Sequence, residues 1–177
     1  PQAQLWRMRG DVGYAAGIDV TPNGIEVQVS DLAGAERSRV TIKWNQEPGP
    51  TQVRKALDLA CEQADVSRGQ VLHAVIGIPG AVNPRSGLLK FAPHLPLWEG
   101  INVVRMLGDE LGNAVDIEND VNLMALAEMD DGAAEGMENF SLVVIGDGVG
   151  AAMVVNGQLV RGFTGGAGEI DYVPVPD

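Results

Sequence analysis

The feature that most constrains the fold is an abrupt change of pattern within residues 115–122, which read Val-Asp-Ile-Glu-Asn-Asp-Val-Asn. The pattern predicts a short strand that ends in polar residues and passes directly into a helix. Junctions of this kind are where open α/β sheets place their ligands. Asn119 and Asp120 lie at the junction, and an amide beside a carboxylate suits a ligand rich in hydroxyl groups. Helix capping is the alternative role for both residues.

Hydrophobic periodicity predicts that the chain opens with a three-stranded antiparallel meander, because tight turns connect three successive strands. These strands are predicted at 14–20, 25–30 and 37–44. A helix follows from residue 49, and its apolar stripe includes the single cysteine, Cys61, as a small buried side chain. The next strand, at 71–78, is almost uniformly apolar, which predicts burial on both of its faces.

The second half of the sequence repeats this arrangement of helix and meander. Asn102 is predicted to cap a helix with four inward side chains, Val103, Val104, Leu107 and Leu111. After a helix at 121–135, a second meander has strands predicted at 140–145, 151–155 and 158–161. Two similar units predict an α/β fold of two lobes with a cleft between them.

Composition excludes several classes of function for this span. The net charge is −12 and the pI is near 4.4, so the surface repels phosphate backbones and this span does not bind DNA by itself. One cysteine provides neither a disulfide framework nor a cysteine zinc site, which fits a cytoplasmic protein. No apolar run approaches the roughly 20 residues needed to span a membrane. The sequence lacks a starting methionine and is interpreted as part of a longer chain.

Five short motifs occur in an informative order. They are Asp19 to Gly24, Gly-Ile-Pro-Gly at 77–80, Glu-Asn-Asp-Val-Asn at 118–122, Gly-x-Gly-x-Gly at 146–150 and Ala-Gly-Glu-Ile at 167–170. This order resembles the ROK family, which groups bacterial sugar kinases and sugar-responsive repressors. The resemblance covers about residues 14–175 and implies the actin-like (ribonuclease H-like) ATPase fold, with the second lobe incomplete in this span. The predicted lobes are 14–119 and 120–177, after a lead-in at 1–13.

The resemblance implies a sugar site. Asn119 and Asp120 match the family's pair for sugar hydroxyls, in which the aspartate of the kinases is the general base, and Glu169 matches a glutamate that contacts sugar. Pro79 and Gly80 match a turn that lines the pocket. Two further positions depart from the family pattern: His94 stands where sugar-binding members often have asparagine, and Tyr172 stands where kinases have histidine. Both side chains can hydrogen-bond to hydroxyl groups, and an empty, vestigial pocket is the alternative.

The phosphate loops depart further from the kinases that the sequence resembles. Where those kinases have Asp-x-Gly-Gly-Thr, this chain has Asp19 followed by Val-Thr21-Pro22-Asn23. Proline has no N–H to donate to a phosphate and fixes φ. In the second loop Asp147 replaces a threonine, which puts a carboxylate where a polyphosphate would lie. The sequence therefore predicts that neither ATP nor Mg²⁺ is used and that Asp19 only caps its turn. The family's zinc motif would fall downstream of residue 177.

These features favour the ligand-sensing and dimerisation region of a ROK transcriptional regulator, which binds a sugar or sugar derivative without phosphorylating it. DNA would be bound only by a domain that precedes Pro1, because the lead-in resembles the joint to such a domain. The alternative is an ATP-dependent sugar kinase with Asp120 as the general base. A third hypothesis is an interaction scaffold without a small ligand. The predicted partners are a sugar and a second copy of the chain, with no metal and no membrane.

Overall fold

The computed structural model describes residues 9–95, 97–146 and 148–174 of the chain. Within them the protein forms a mixed α/β structure, as predicted. The strands are β1 Tyr14–Thr21, β2 Gly24–Asp31, β3 Glu36–Lys43, β4 Val71–Ile78, β5 Ala81–Val82, β6 Leu89–Lys90, β7 Ala114–Asn119, β8 Phe140–Ile145, β9 Val149–Val155 and β10 Gln158–Leu159. The α-helices are α1 Gly49–Gln63, α2 Val103–Leu111 and α3 Asp120–Asp131.

The main sheet has five strands in the order β3-β2-β1-β4-β7. Its first three strands pair antiparallel in sequence order, which confirms the predicted meander. Alternation of apolar and polar residues sets the register, since Val27 and Val29 of β2 are fully buried while Gln28 between them is not. The carboxyl ends of β4 and β7 lead into the segments that carry the predicted sugar site.

Helix α1 covers the meander through the predicted apolar stripe. Pro50 lies in the first turn, where proline is tolerated because the N–H there lacks a partner within the helix. The buried apolar side chains are Val53, Ala56, Leu57, Ala60 and Cys61. Burial raises the pKa of the Cys61 thiol, which fits its predicted role as a small buried side chain. Ser38 of β3 donates a 2.6 Å hydrogen bond to the Ala60 carbonyl and so ties the helix to the sheet.

A buried glutamine fixes the loop before α1. Gln52 is 1% exposed; its Oε1 accepts from the Asn45 N–H at 3.0 Å, and its Nε2 donates to the Glu47 carbonyl at 2.7 Å. We expect Gln52→Leu to lower the free energy of unfolding by about 1–3 kcal/mol, because the Asn45 N–H and the Glu47 carbonyl lose the partly buried hydrogen bonds that Gln52 makes with them. Urea unfolding measures the change. Gln63→Leu, at the exposed end of the same helix, is the control, and equal stability of the two variants would contradict the prediction.

Several details of the predicted elements are wrong. Strand β4 is not buried on both faces, because Leu72 is 56% exposed near its start. In α2 the side chains of Val103, Leu107 and Leu111 are buried, but Val104 is 39% exposed. Adjacent helix positions lie about 100° apart, which puts Val104 at the edge of the apolar stripe that holds the three buried side chains. Helix α3 ends at Asp131, since Gly132 is extended and Glu128 Oε2 accepts the Ala133 N–H at 2.7 Å.

The later meander forms a separate three-stranded sheet in the order β10-β9-β8, with α3 packed against β8 and β9. The predicted turn at Asn156 and Gly157 is confirmed, since both have positive φ as a two-residue hairpin requires. Strand β9 begins two residues earlier than predicted, at Val149, and β10 ends at Leu159 rather than 161. Residues 160–169 therefore form a loop between the sheet and the turn that carries Glu169.

The described residues fall into two compact units, each assembled from two stretches of chain. One takes in the chain up to Ile76 together with Gly108–Asp116, and the other takes in Gly77–Leu107 together with the chain from Ile117 onward. The predicted lobe boundary between Asn119 and Asp120 stays a prediction. The predicted lead-in at 1–13 lies mostly outside the described residues. None of the helices within them is long and apolar enough to cross a membrane.

Candidate functional site

Asn119 lies at the junction between β7 and α3, and both the oxygen and the nitrogen of its side-chain amide make hydrogen bonds there. It is the N-cap residue of α3, and its Oδ1 accepts from the Asn122 N–H at 2.9 Å. Its Nδ2 donates to the Gly80 carbonyl at 3.2 Å, which brings two predicted site positions together. The capping role is therefore present, and it orients the amide beside the turn at Gly80.

Asp120 begins α3 with one carboxylate oxygen engaged. Its Oδ1 accepts from the Val121 N–H at 2.8 Å, and Oδ2 makes no hydrogen bond to any described residue. Partial burial raises the pKa of this carboxyl, while hydrogen bonds from backbone N–H groups act in the opposite direction. The half-buried Asp120 carboxylate thus keeps acceptor capacity that a hydroxyl donor could use.

Glu169 forms an acidic pair with Asp120. The pKa of Glu169 is raised to about 7, mainly by burial and then by the negative charges of Asp120 and Asp171. Near pH 7 the carboxyl is therefore present in both its protonated and its ionised form, so it can donate to one oxygen or accept from another. A carboxylate and a titrating carboxyl side by side can satisfy the two-way hydrogen bonding of hydroxyl groups.

Glu118 supports this site and was not among the predicted site residues. Its side chain is 13% exposed and accepts hydrogen bonds from the Asn119 N–H, from Asn122 Nδ2 and from Arg161 Nε. It therefore links the start of α3 to the loop that leads to Glu169. The partners Glu118 and Arg161 are 43 positions apart, so no local pattern in the sequence indicates their pairing.

The turn after β4 fits its predicted position. Pro79 is half-buried and Gly80 is buried with φ +100°, a conformation that favours glycine. A Cβ at Gly80 would lie 2.7 Å from the Lys90 carbonyl oxygen and 2.9 Å from that of Phe91, so the turn requires the missing side chain. Gly80 thereby packs against the end of β6 while its own carbonyl accepts from Asn119.

The two predicted positions that depart from the family pattern differ in their surroundings. Tyr172 follows Glu169 in a single 3₁₀ turn and lies against the ring of Phe91, with the ring centroids 4.8 Å apart. His94 lies in an exposed turn, and its ring makes no hydrogen bond to any described residue. The structure thus connects Tyr172 to the other site positions, whereas His94 makes no hydrogen bond that would do the same within the described part of the chain.

The first predicted phosphate loop is closed by its own hydrogen bonds. Thr21 Oγ1 donates to the Gly24 carbonyl at 3.1 Å and accepts from the Asn23 N–H at 3.2 Å. Trp44 Nε1 donates to the Thr21 carbonyl at 2.8 Å. Pro22 provides no N–H, and Asp19 lies on the exposed face of β1 directly opposite Glu26 of β2. Asp147, from the second loop, lies outside the described residues.

Within the described part of the chain, no three histidine, cysteine, aspartate or glutamate side chains are grouped as they would be to hold a metal ion. The candidate site consists of hydrogen-bonding groups, with Asn119, Asp120 and Glu169 at its centre. All three belong to the same compact unit, as do Gly80 and Tyr172.

Comparison with known proteins identifies the family. The sequence matches the model of the ROK family over residues 15–177. It is 30% identical over 166 residues to a glucokinase from Halalkalibacterium halodurans, covering 92% of this chain and 50% of that one. It is 25% identical over 175 residues to the xylose repressor of Caldicellulosiruptor bescii, covering 97% of this chain and 44% of that one.

A solved structure gives the same result at the level of the fold. A ROK family glucokinase from Streptomyces griseus, in complex with glucose and AMPPNP, superposes with a TM-score of 0.74 at 25% identity. The match covers 93% of this chain and 51% of the glucokinase. The chain belongs to the ROK family, which confirms the predicted family and its actin-like fold. It spans about half the length of the curated relatives it matches, and these include both repressors and sugar kinases.

Proposed function

We propose that this chain is the ligand-sensing and dimerisation region of a ROK transcriptional regulator, which binds a sugar or sugar derivative without phosphorylating it. The observation that carries the proposal is a contrast between two predicted sites. The charge of Asp120 raises the pKa of Glu169, so the two carboxyl groups are close enough to interact, and such a pair suits the hydroxyl groups of a sugar. In the β1–β2 turn, by contrast, the Thr21 hydroxyl and the Asn23 N–H are already bonded to each other.

The state of the β1–β2 turn argues against useful binding of ATP. A phosphate cradle needs several free backbone N–H groups that converge on one anion. Pro22 has none, and that of Asn23 is used within the turn. To bind phosphate, the turn would have to break the hydrogen bonds of Thr21 Oγ1. This would cost free energy that a loop with unbonded N–H groups does not lose. The state of this turn supports a function that uses neither ATP nor Mg²⁺.

The regulator would respond to sugar through a population shift. A ligand that binds one arrangement of the chain more tightly than another increases the share of that arrangement. If a DNA-binding domain is attached, the sugar and the operator then change each other's affinity by the same factor. Homodimerisation is part of the proposal, and sedimentation velocity at several protein concentrations tests it by detecting or excluding a dimer.

Calorimetric titration tests the proposal directly. We expect at least one member of a panel of D-glucose, D-xylose, D-glucosamine and N-acetyl-D-glucosamine to bind with measurable heat, and ATP with Mg²⁺ to give none. Absence of heat with every sugar, together with no thermal shift, would favour an interaction scaffold without a small ligand. The control is Asp131→Asn, which changes an exposed carboxylate at the far end of α3.

A sugar kinase is the second candidate, and one observation favours it. Partial burial raises the pKa of Asp120, and a raised carboxyl pKa suits a general base that removes a proton from a sugar hydroxyl. A coupled assay of ADP release with the same sugars, on the full-length protein, separates the two functions. ADP release that Asp120→Asn abolishes would establish the kinase and overturn the regulator.

A further inference from the structure

The structure places an aromatic pair beside the acidic pair of the candidate site. The rings of Phe91 and Tyr172 have centroids 4.8 Å apart and are tilted by 50°. Both remain partly exposed, Phe91 at 37% and Tyr172 at 51%. An aromatic pair inside a core would be covered by neighbours, so this pair keeps apolar ring surface available for contact.

Contacts at two glycines show that the aromatic pair and the sugar-site residues are contiguous. A Cβ at Gly166 would lie 3.5 Å from Phe91 Cε2 and 3.5 Å from Glu169 Cγ, so this ring and this carboxyl side chain flank the same glycine. Gly80 packs against the Phe91 carbonyl and accepts a hydrogen bond from Asn119. Tyr172 is bonded through its backbone N–H to the Glu169 carbonyl at 3.3 Å.

The backbone at Phe91 holds the ring in place at some cost. Its φ is +55°, in the left-handed region that residues with a side chain seldom adopt. Such strain persists only where the surroundings determine the conformation, and it is concentrated at binding sites. Here the surroundings are the turn at Gly80 and the ring of Tyr172. Phe91 is thus held through its backbone by the turn at Gly80 and through its ring by Tyr172.

We propose that Phe91 and Tyr172 form the stacking wall of the sugar site and select an uncharged pyranose, whose C–H face lies on the rings while its hydroxyls bond to Asn119, Asp120 and Glu169. This inference rests on the proposed sugar-binding function. Such a site has one apolar surface, for the C–H face of the pyranose, and one set of hydrogen-bonding groups, for its hydroxyls. A phosphorylated sugar is disfavoured, because its charge would meet Asp120, Glu169 and Asp171.

Variants of the two aromatic residues test the wall by titration calorimetry with D-glucose and D-xylose. We expect Phe91→Ala and Tyr172→Ala each to weaken binding about tenfold, and Tyr172→Phe, which keeps the ring, to weaken it less than threefold. Phe91→Leu keeps the apolar volume without the ring and is expected to fall between alanine and wild type. Phe163→Ala is the matched control, since Phe163 is 72% exposed in the preceding loop and contacts Arg85.

Fluorine NMR adds a readout that a loss of folding would not imitate. The chain has two tyrosines, Tyr14 in the core and Tyr172 in the proposed wall. In protein labelled with 3-fluorotyrosine, D-glucose should move the Tyr172 resonance and leave that of Tyr14 in place.

The outcomes separate this inference from the proposed function. Sugar binding whose affinity is the same in Phe91→Ala, Tyr172→Ala and wild type overturns the wall and leaves sugar sensing standing. A failure of every sugar to bind the wild type overturns both. Tighter binding of D-glucose 6-phosphate than of D-glucose overturns the selection of an uncharged ligand.

Discussion

Replacing Asp120 with asparagine is expected to weaken sugar binding about 10–100-fold while the fold stays intact. The asparagine oxygen can still accept the hydrogen bond from the Val121 N–H, so the start of α3 keeps its local support. The negative charge is what is lost, and a hydrogen bond to a charged group contributes about 1.5–3 kcal/mol. Since about 1.4 kcal/mol corresponds to a tenfold change in affinity, the loss should be large.

Calorimetry with the best-binding sugar of the panel measures this effect. Asp131→Asn is the control, because it makes the same chemical change at the exposed last residue of the same helix. An affinity for sugar that is equal in Asp120→Asn and wild type would rule out the predicted role of Asp120.

The thermal stability of Asp120→Asn gives a second, independent readout. The charge of Asp120 raises the pKa of Glu169, which means that the two ionised groups repel each other. Removing one charge should therefore leave the melting temperature at about pH 8 unchanged or raise it. A residue retained for stability would have the opposite effect, whereas binding residues are often retained at a cost in stability.

The strong local patterns explain why most of the fold could be predicted. Strict alternation in β2 and the apolar stripe of α1 each bury one face, so their positions follow from the sequence within one or two residues. The errors in predicted burial concern single residues, for which the periodicity of the sequence does not decide between core and surface. An apolar side chain such as Val104 or Leu72 can lie on an exposed surface, because folded proteins expose much apolar area.

The candidate site likewise contains residues that the sequence predicted and residues that only the structure shows. Asn119, Asp120 and Glu169 were predicted because short motifs mark them, and their roles as sugar ligands stay predictions. Glu118 lies inside such a motif, but its role depends on Arg161, which only the tertiary structure brings to it. Phe91 was missed because neither its positive φ nor its contact with Tyr172 has a sequence signature. Side chains that support a site are selected by distance in space, which a pattern along the chain does not record.

The second large effect is expected from Glu169→Gln, which should remove a loss of stability that the wild type shows as pH rises. The pKa of Glu169 is raised from 4.5 to about 7 in the folded protein, so between these values the folded state binds more protons than the unfolded state. Stability therefore falls as pH increases through this window and is lowest above it. One pKa unit corresponds to about 1.4 kcal/mol, but Glu169 is only half-buried and solvent screens its charge, so we expect a loss of about 1 kcal/mol.

Thermal unfolding at about pH 5 and about pH 8 measures this loss, since about 1 kcal/mol changes the melting temperature of a protein of this size by roughly 2–4 °C. Glutamine cannot ionise, so the variant should match the wild type at the lower pH and exceed it at the higher pH. Glu62→Gln, an exposed position on α1, controls for the general effect of removing a carboxylate. If Glu169→Gln and wild type lose stability equally between the two pH values, the pKa of Glu169 is not raised in the folded protein, and the acidic pair with Asp120 loses its support. If instead the pH dependence of stability disappears in Glu169→Gln and its sugar affinity falls as well, the Glu169 carboxylate both lowers stability and binds the ligand.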